Sequence, residues 1–220
     1  MAAIVRVLLI AVPVGAALAG CRAPDGDQSG AVPETAERPG ATSSVQPSAV
    51  DTATPRAPAP RPALRLEVSL SDRRLYVYED DRQVESHPVA IGRPEYPTPT
   101  GEYAISQVVW NPEWIPPDSP WAEDEERKAP GEEGNPLGRA QLVFELPYSI
   151  HGTEDLASLG KAESHGSIRV SNEVAIRLGR RVMEAGGAPR PEGWVDEVLA
   201  NPTEKRVVNL PHPVPLTIRE

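Results

Sequence analysis

The sequence predicts a mostly-β domain of the α+β class over residues 63–220, with one or two helices packed on the strands. Three observations carry this. Apolar and polar residues alternate with period two through the first part of the span. A single stretch, Asn172 to Ala185, repeats its apolar residues at helical spacing. A segment rich in Trp and Pro, Trp110 to Gly138, fits neither period and reads as a long loop.

The elements follow in order. Leu64, Leu66, Val68 and Leu70 alternate with polar residues and predict the first strand. After a Ser71-Asp72 turn, Leu75 and Val77 with Tyr76 and Tyr78 predict a second. Val84 to Ile91 and Tyr103 to Val109 read as further strands, and Ala140 to Leu146 and Tyr148 to His151 follow the long loop. That loop carries Trp110, Trp114 and Trp121, which suits a lid over a cleft, and its charged run Glu123 to Lys128 reads as a solvated face. In the helix, Val174, Leu178, Val182 and Ala185 share one side, Ser171 is placed to cap its start, and Gly186-Gly187 ends it. A shorter helix is predicted from Trp194 to Ala200. The tail from Val207 to Ile218 reads as extended but broken by Pro211, Pro213 and Pro215.

Upstream of this domain the chain changes character. Residues 1–20 have a basic start at Arg6 and a short apolar run, too short to span a bilayer and of the length of a signal-peptide core. Leu18-Ala19-Gly20-Cys21 resembles a bacterial lipobox, which implies cleavage before Cys21 and acylation of that thiol, with the acyl chains holding the protein at a membrane. Residues 22–62 hold eight prolines and no aromatic, Leu or Ile. They cannot bury enough apolar surface to offset their ordering entropy and read as a disordered tether, spanning roughly 35 Å as a coil or roughly 130 Å as polyproline II. The expected organisation is a signal peptide at 1–20, an acylated Cys and tether at 21–62, and one domain at 63–220.

Composition excludes several function classes. The chain has 22 Lys+Arg against 32 Asp+Glu, a net charge of −10, which disfavours nucleic acid as a partner. Its one Cys excludes a disulfide framework and a Cys-based zinc module. His151 and His165 lack clustered carboxylates at ligand spacing, so no metal site is expected, and His87 and His212 are assigned no role.

The chemistry concentrates in Ile150-His151-Gly152-Thr153 and Ser164-His165-Gly166-Ser167-Ile168-Arg169. Acyl transfer needs a nucleophile, a base within hydrogen-bond reach and donors for an oxyanion. A His at a strand end and a glycine turn a short loop away can supply them, and an Arg fork suits a carboxylate. The two segments resemble the signature of the L,D-transpeptidase catalytic domain (YkuD) family. Pro97-Thr98-Pro99-Thr100-Gly101, Asn111-Pro112, Pro116-Pro117 and Asn135-Pro136-Leu137-Gly138 look like further family segments, and the resemblance spans roughly residues 64 to 218.

The resemblance implies a β-sandwich of the family's type with a lid loop. It implies His151 as base, residue 167 as nucleophile, Gly166 with Ser167 as the turn supplying oxyanion donors, and His165, Arg169, Gly152 and Ser164 lining the substrate site. It implies no cofactor, and peptidoglycan stem peptides as the substrate and partner. The lipobox resemblance, with Arg22 rather than Asp after the Cys, implies a periplasmic lipoprotein of the outer membrane. The sequence departs from the family at residue 167, which is Ser where the family has Cys. A thiol ionises at about 8.5, and lower beside a His, whereas a Ser hydroxyl depends on concerted proton removal. Three readings stay open: transpeptidation weakened by Ser167, a serine-based L,D-carboxypeptidase, and a non-catalytic peptidoglycan-binding lipoprotein.

Overall fold

The computed structural model of the protein describes residues 63–220. The expected signal peptide, the lipidated Cys21 and the tether lie outside the described residues. Eight strands form one sheet in the order β3-β2-β1-β10-β5-β6-β7-β9, and β4 pairs with β8 in a second, two-stranded sheet. The strands are β1 Leu64–Ser69, β2 Arg74–Glu79, β3 Arg82–Pro88, β4 Ile91–Gly92, β5 Gly101–Trp110, β6 Ala140–Glu145, β7 Tyr148–Thr153, β8 Ala162–Ser164, β9 Ile168–Ser171 and β10 Arg206–Arg219. Helix α1 spans Asn172–Ala185 and α2 spans Trp194–Ala200. The mostly-β expectation with two helices therefore holds.

The first expected strands form as the alternation dictates. Leu66 and Val68 of β1 and Leu75 and Val77 of β2 are buried and pair antiparallel, Leu66 with Val77 and Val68 with Leu75. The span Val84 to Ile91, expected as one strand, is divided. β3 ends at Pro88, Val89 and Ala90 are buried, and Ile91–Gly92 pairs with β8 instead. Ala90 exchanges both backbone hydrogen bonds with Arg169 of β9, at 3.0 and 2.9 Å. The chain leaving one edge strand thus reaches the strand at the opposite edge, and the sheet curls over its own core.

The tail corrects the expectation of a broken segment. It is β10, flanked in the sheet by β1 and β5. Asn209 faces Gln107 and Val214 faces Ile105, so the stretch holding Pro211 and Pro213 bulges out of the ladder, where their missing N–H groups cost nothing. Beyond it, Leu216 pairs with both Leu66 and Tyr103.

Helix α1 starts on Ser171, whose Oγ accepts from Val174 N at 3.3 Å. Its buried residues Val174, Ala175, Leu178, Val182 and Met183 pack on the sheet. Gly179 makes room there: a Cβ would press on the Trp110 ring at 3.0 Å. Trp110 itself is fully buried at the end of β5, edge-on to Trp194 of α2. It belongs to the core and not to the lid in which the sequence placed it.

Candidate active site

Period-two alternation builds the site. On β5, β6, β7, β9 and β10 the residues Val108, Leu142, Ile150, Ile168 and Val208 are buried in the core beneath α1. Their neighbours Gln107, Val109, Gln141, His151, Arg169 and Val207 face the other way and line one cavity of about 1110 Å³. The segment from Glu113 to Leu137 covers that face. It is internally braced: Trp114 and Lys128 exchange backbone hydrogen bonds, both at 2.9 Å, and Asn135 Nδ2 donates to the Pro112 and Ala129 carbonyls. Trp114 and Trp121 turn into the cavity, as a lid should.

His151 pairs in register with Arg169 across the parallel β7–β9 ladder. Its Nδ1 lies 2.9 Å from the Gly152 carbonyl, which can only accept, so Nδ1 carries the proton. The ring is only 4% exposed. Burial pulls its pKa down to about 4, the Gly152 carbonyl opposes this, Arg169 adds to the lowering and the Pro136 carbonyl opposes it. At neutral pH the imidazole is uncharged, the form in which it can take a proton.

Ser167 sits at the entry to β9. Its Oγ accepts from the backbone N–H of Ser149 at 3.2 Å, which places residue 167 beside β7. His151 lies two residues beyond Ser149, on the same face of that strand. The expected base and nucleophile thus share one mouth. Gly166 before it has φ +104, and a Cβ there would lie 2.6 Å from the Tyr148 ring, so only glycine fits.

Three expected roles change. The N–H of Gly166 donates to Ser164 Oγ at 3.1 Å, so it is committed within the turn. The backbone N–H of Ser167 is then the turn's candidate oxyanion donor. Ser164 borders the cavity, and its hydroxyl donates to the Ser167 carbonyl at 2.5 Å, which adds a part in shaping the turn. Gly152 faces away from the cavity. A Cβ there would lie 2.2 Å from Asn172 Oδ1 of α1, and its carbonyl is the one that orients His151.

His165 lines the cavity beneath the lid. Its ring lies against Trp121, centroids 3.7 Å apart and planes 5° from parallel, with the Tyr96 ring edge-on at 5.2 Å. Arg93 Nη2 donates to its Nε2 at 2.5 Å. Burial lowers its pKa first, then Arg93 and Arg169, against Glu125. His165 therefore supports the lid as much as it lines the site. Arg169 is partly exposed, tethered by Asp155 at 3.8 Å, and keeps its guanidinium at the cavity wall.

Several supporting residues carried no role in the sequence reading. Asn111, at φ +46, donates from Nδ2 to the carbonyls of Val198, Asn201 and Glu204 and accepts from Arg139 Nε, tying both roots of the lid to α2. Asn172 Oδ1 accepts from Arg139 N at 2.9 Å and fills a slot between Gly138 and Gly152. Thr98 bonds the Gly166 carbonyl. The asparagine beside a Pro and the asparagine opening a helix were visible, but their partners are distant in sequence.

The L,D-transpeptidase catalytic domain (YkuD) model matches residues 63–198. The putative L,D-transpeptidase YkuD of Bacillus licheniformis is 35% identical over 115 residues, covering 52% of this chain and 57% of that protein. Its Bacillus subtilis counterpart is 32% identical over 114 residues, covering 51% and 57%. The chain thus matches little more than half the length of these relatives. Among solved structures, an L,D-transpeptidase from Mycobacterium smegmatis aligns at 15% identity with a TM-score of 0.47, over 72% of this chain and 59% of its own. L,D-transpeptidase 3 from Mycobacterium tuberculosis, in complex with a faropenem-derived adduct, aligns at 22% with a TM-score of 0.45, over 72% and 61%. With its family model matched across the domain that holds His151 and Ser167, the chain belongs to the L,D-transpeptidase catalytic domain (YkuD) family.

Proposed function

We propose that this domain performs L,D-transpeptidase-type acyl transfer on peptidoglycan stem peptides, with Ser167 as nucleophile and His151 as base. The observation that carries the reading is the state of His151: buried, neutral, with Nδ1 fixed on the Gly152 carbonyl, in the cavity that Ser167 also lines. A thiolate–imidazolium pair needs the charged ring, which burial opposes here. A serine hydroxyl needs the neutral ring.

In the first half-reaction Ser167 Oγ attacks the carbonyl of the donor stem's third residue while His151 takes the hydroxyl proton. The Ser149 N–H already bonded to Oγ favours negative charge on that oxygen, and the Ser167 N–H favours it on the carbonyl oxygen. The scissile C–N bond breaks, His151 returns its proton to the departing amine, and an acyl ester forms on Ser167. An acceptor amine then attacks the ester, and His151 takes the amine's proton and hands it to Oγ, which leaves as the restored hydroxyl. Water in place of the amine makes the product a shortened stem, the carboxypeptidase outcome. Arg169 suits a stem carboxylate.

We place the protein in the periplasm, anchored at the outer membrane through acylated Cys21, on the strength of its lipobox alone. A second reading, a non-catalytic stem-peptide-binding module, is favoured by one observation: the commitment of Gly166 N–H to Ser164, which leaves the turn one oxyanion donor fewer. Incubation with a purified tetrapeptide muropeptide separates the readings. Acyl transfer releases the terminal amino acid, and His151→Ala makes the release far slower. Binding without release supports the module.

A further inference from the structure

Between β4 and β5 the chain runs through Pro97-Thr98-Pro99, a segment far in sequence from residue 167 and placed against it in space. Thr98 is only 5% exposed. Its hydroxyl donates to the Gly166 carbonyl at 2.8 Å and accepts from the Gly92 N–H at 2.8 Å. A hydroxyl has one proton, and here it goes to the residue that precedes Ser167. Gly92 is itself fixed: a Cβ there would meet the Tyr96 carbonyl at 2.2 Å, and its strand pairs with β8 at Ser164. Gly166 is therefore held on three sides, by Thr98 at its carbonyl, by Ser164 at its N–H, and by the Tyr148 ring where a side chain would be. A glycine at φ +104 has wide freedom, and without these contacts the peptide joining it to Ser167 could rotate.

We propose that Thr98 is a positioning residue: its buried hydroxyl fixes the Gly166 peptide, and through it the direction in which residue 167 meets His151 and the Ser149 N–H. The inference deepens the proposed function and rests on Ser167 as the nucleophile position. The hydroxyl touches no substrate. It acts by removing a rotation that would move Oγ off line, and a misplacement of about 1 Å can cost on the order of a hundredfold in rate.

The test uses the full chain carrying Ser167→Cys, with alkylation of the thiol at position 167 by iodoacetamide followed against pH by peptide mapping. Thr98→Ser and Thr98→Ala are compared in that background. Both lack the threonine methyl, so they differ by the hydroxyl alone. Thr98→Val, which keeps the shape, guards against a variant that fails to fold. The expected result is that Ala and Val shift the alkylation midpoint by about half a pH unit or more, while Ser restores it. A midpoint unchanged in Ala and Val overturns the proposal, as does a Ser variant that shifts together with Ala. Alkylation requires no acyl transfer. A protein that is alkylated normally but never acylated by muropeptide contradicts the proposed function and leaves the Thr98 series readable.

Discussion

The indole of Trp121 lies flat on the imidazole of His165, the two ring centroids 3.7 Å apart. This stack joins the lid to the segment that ends at Ser167. Trp121 also meets the Tyr96 ring edge-on at 6.5 Å and the Pro136 carbonyl faces His151, whereas the Trp114–Lys128 ladder and the pairing of Glu113 with Arg127 and Lys205 lie within the lid or at its base. The stack is therefore one of the contacts that hold the lid over the nucleophile.

Removing the indole tests that relationship. Trp121→Ala takes away part of the burial that depresses His165, so the His165 titration, followed by NMR, moves up toward its ordinary value. An unchanged titration means that the ring is buried by something other than the lid.

His151 makes stability depend on pH. Its folded pKa, about 4, lies below the ordinary 6.5, so the unfolded chain binds the proton more readily. The stabilising contribution is fully present above pH 6.5 and is lost as pH falls through 4. The shift corresponds to about 3 kcal/mol in all, of which about 2 kcal/mol is lost between pH 7 and 5. Urea unfolding at those two pH values should show His151→Gln losing less stability on acidification than the wild type. Equal losses in the two proteins contradict the burial argument.

Much of this was legible in the sequence. Strict alternation in Leu64 to Val68 gives the first strand and the face that each residue takes, while the pairing of His151 with Ser167 in one cleft came from the two motif segments and the family they resemble. Ser171 and the helix it caps were equally plain. The tail was not, because a proline-rich segment argues against a strand with partners on both sides; the bulge between Asn209 and Val214 takes Pro211 and Pro213 out of the ladder, while Pro215 stays in register with Ala104. Trp110 misled because Trp suits a lid and a core alike, and its burial depends on the absence of a side chain at Gly179. Gly152 and Ser164 lay within the motif, but which side of the strand or turn each serves depends on Asn172 and on the Gly166 peptide.

The lid roots give a prediction of stability. Asn111→Ala loses three hydrogen bonds to the end of α2 and places alanine at φ +46, for a cost of about 3 kcal/mol. Asn111→Gly loses the bonds and keeps the conformation, so it should cost about 1 kcal/mol less. Chemical denaturation of the two variants orders them. Equal stability of wild type and Asn111→Ala would mean that α2 does not depend on this cap.

The account's central claim is that the hydroxyl of Ser167 becomes acylated, and intact-mass analysis tests it most directly. Wild-type protein incubated with a tetrapeptide muropeptide should gain the mass of the acyl group, mapped to the peptide containing Ser167. Ser167→Ala should gain none, and His151→Ala should gain it far more slowly. A wild-type protein that binds the muropeptide yet never carries the added mass, with Ser167→Cys equally inert, would contradict acyl transfer and leave the domain a stem-peptide-binding module.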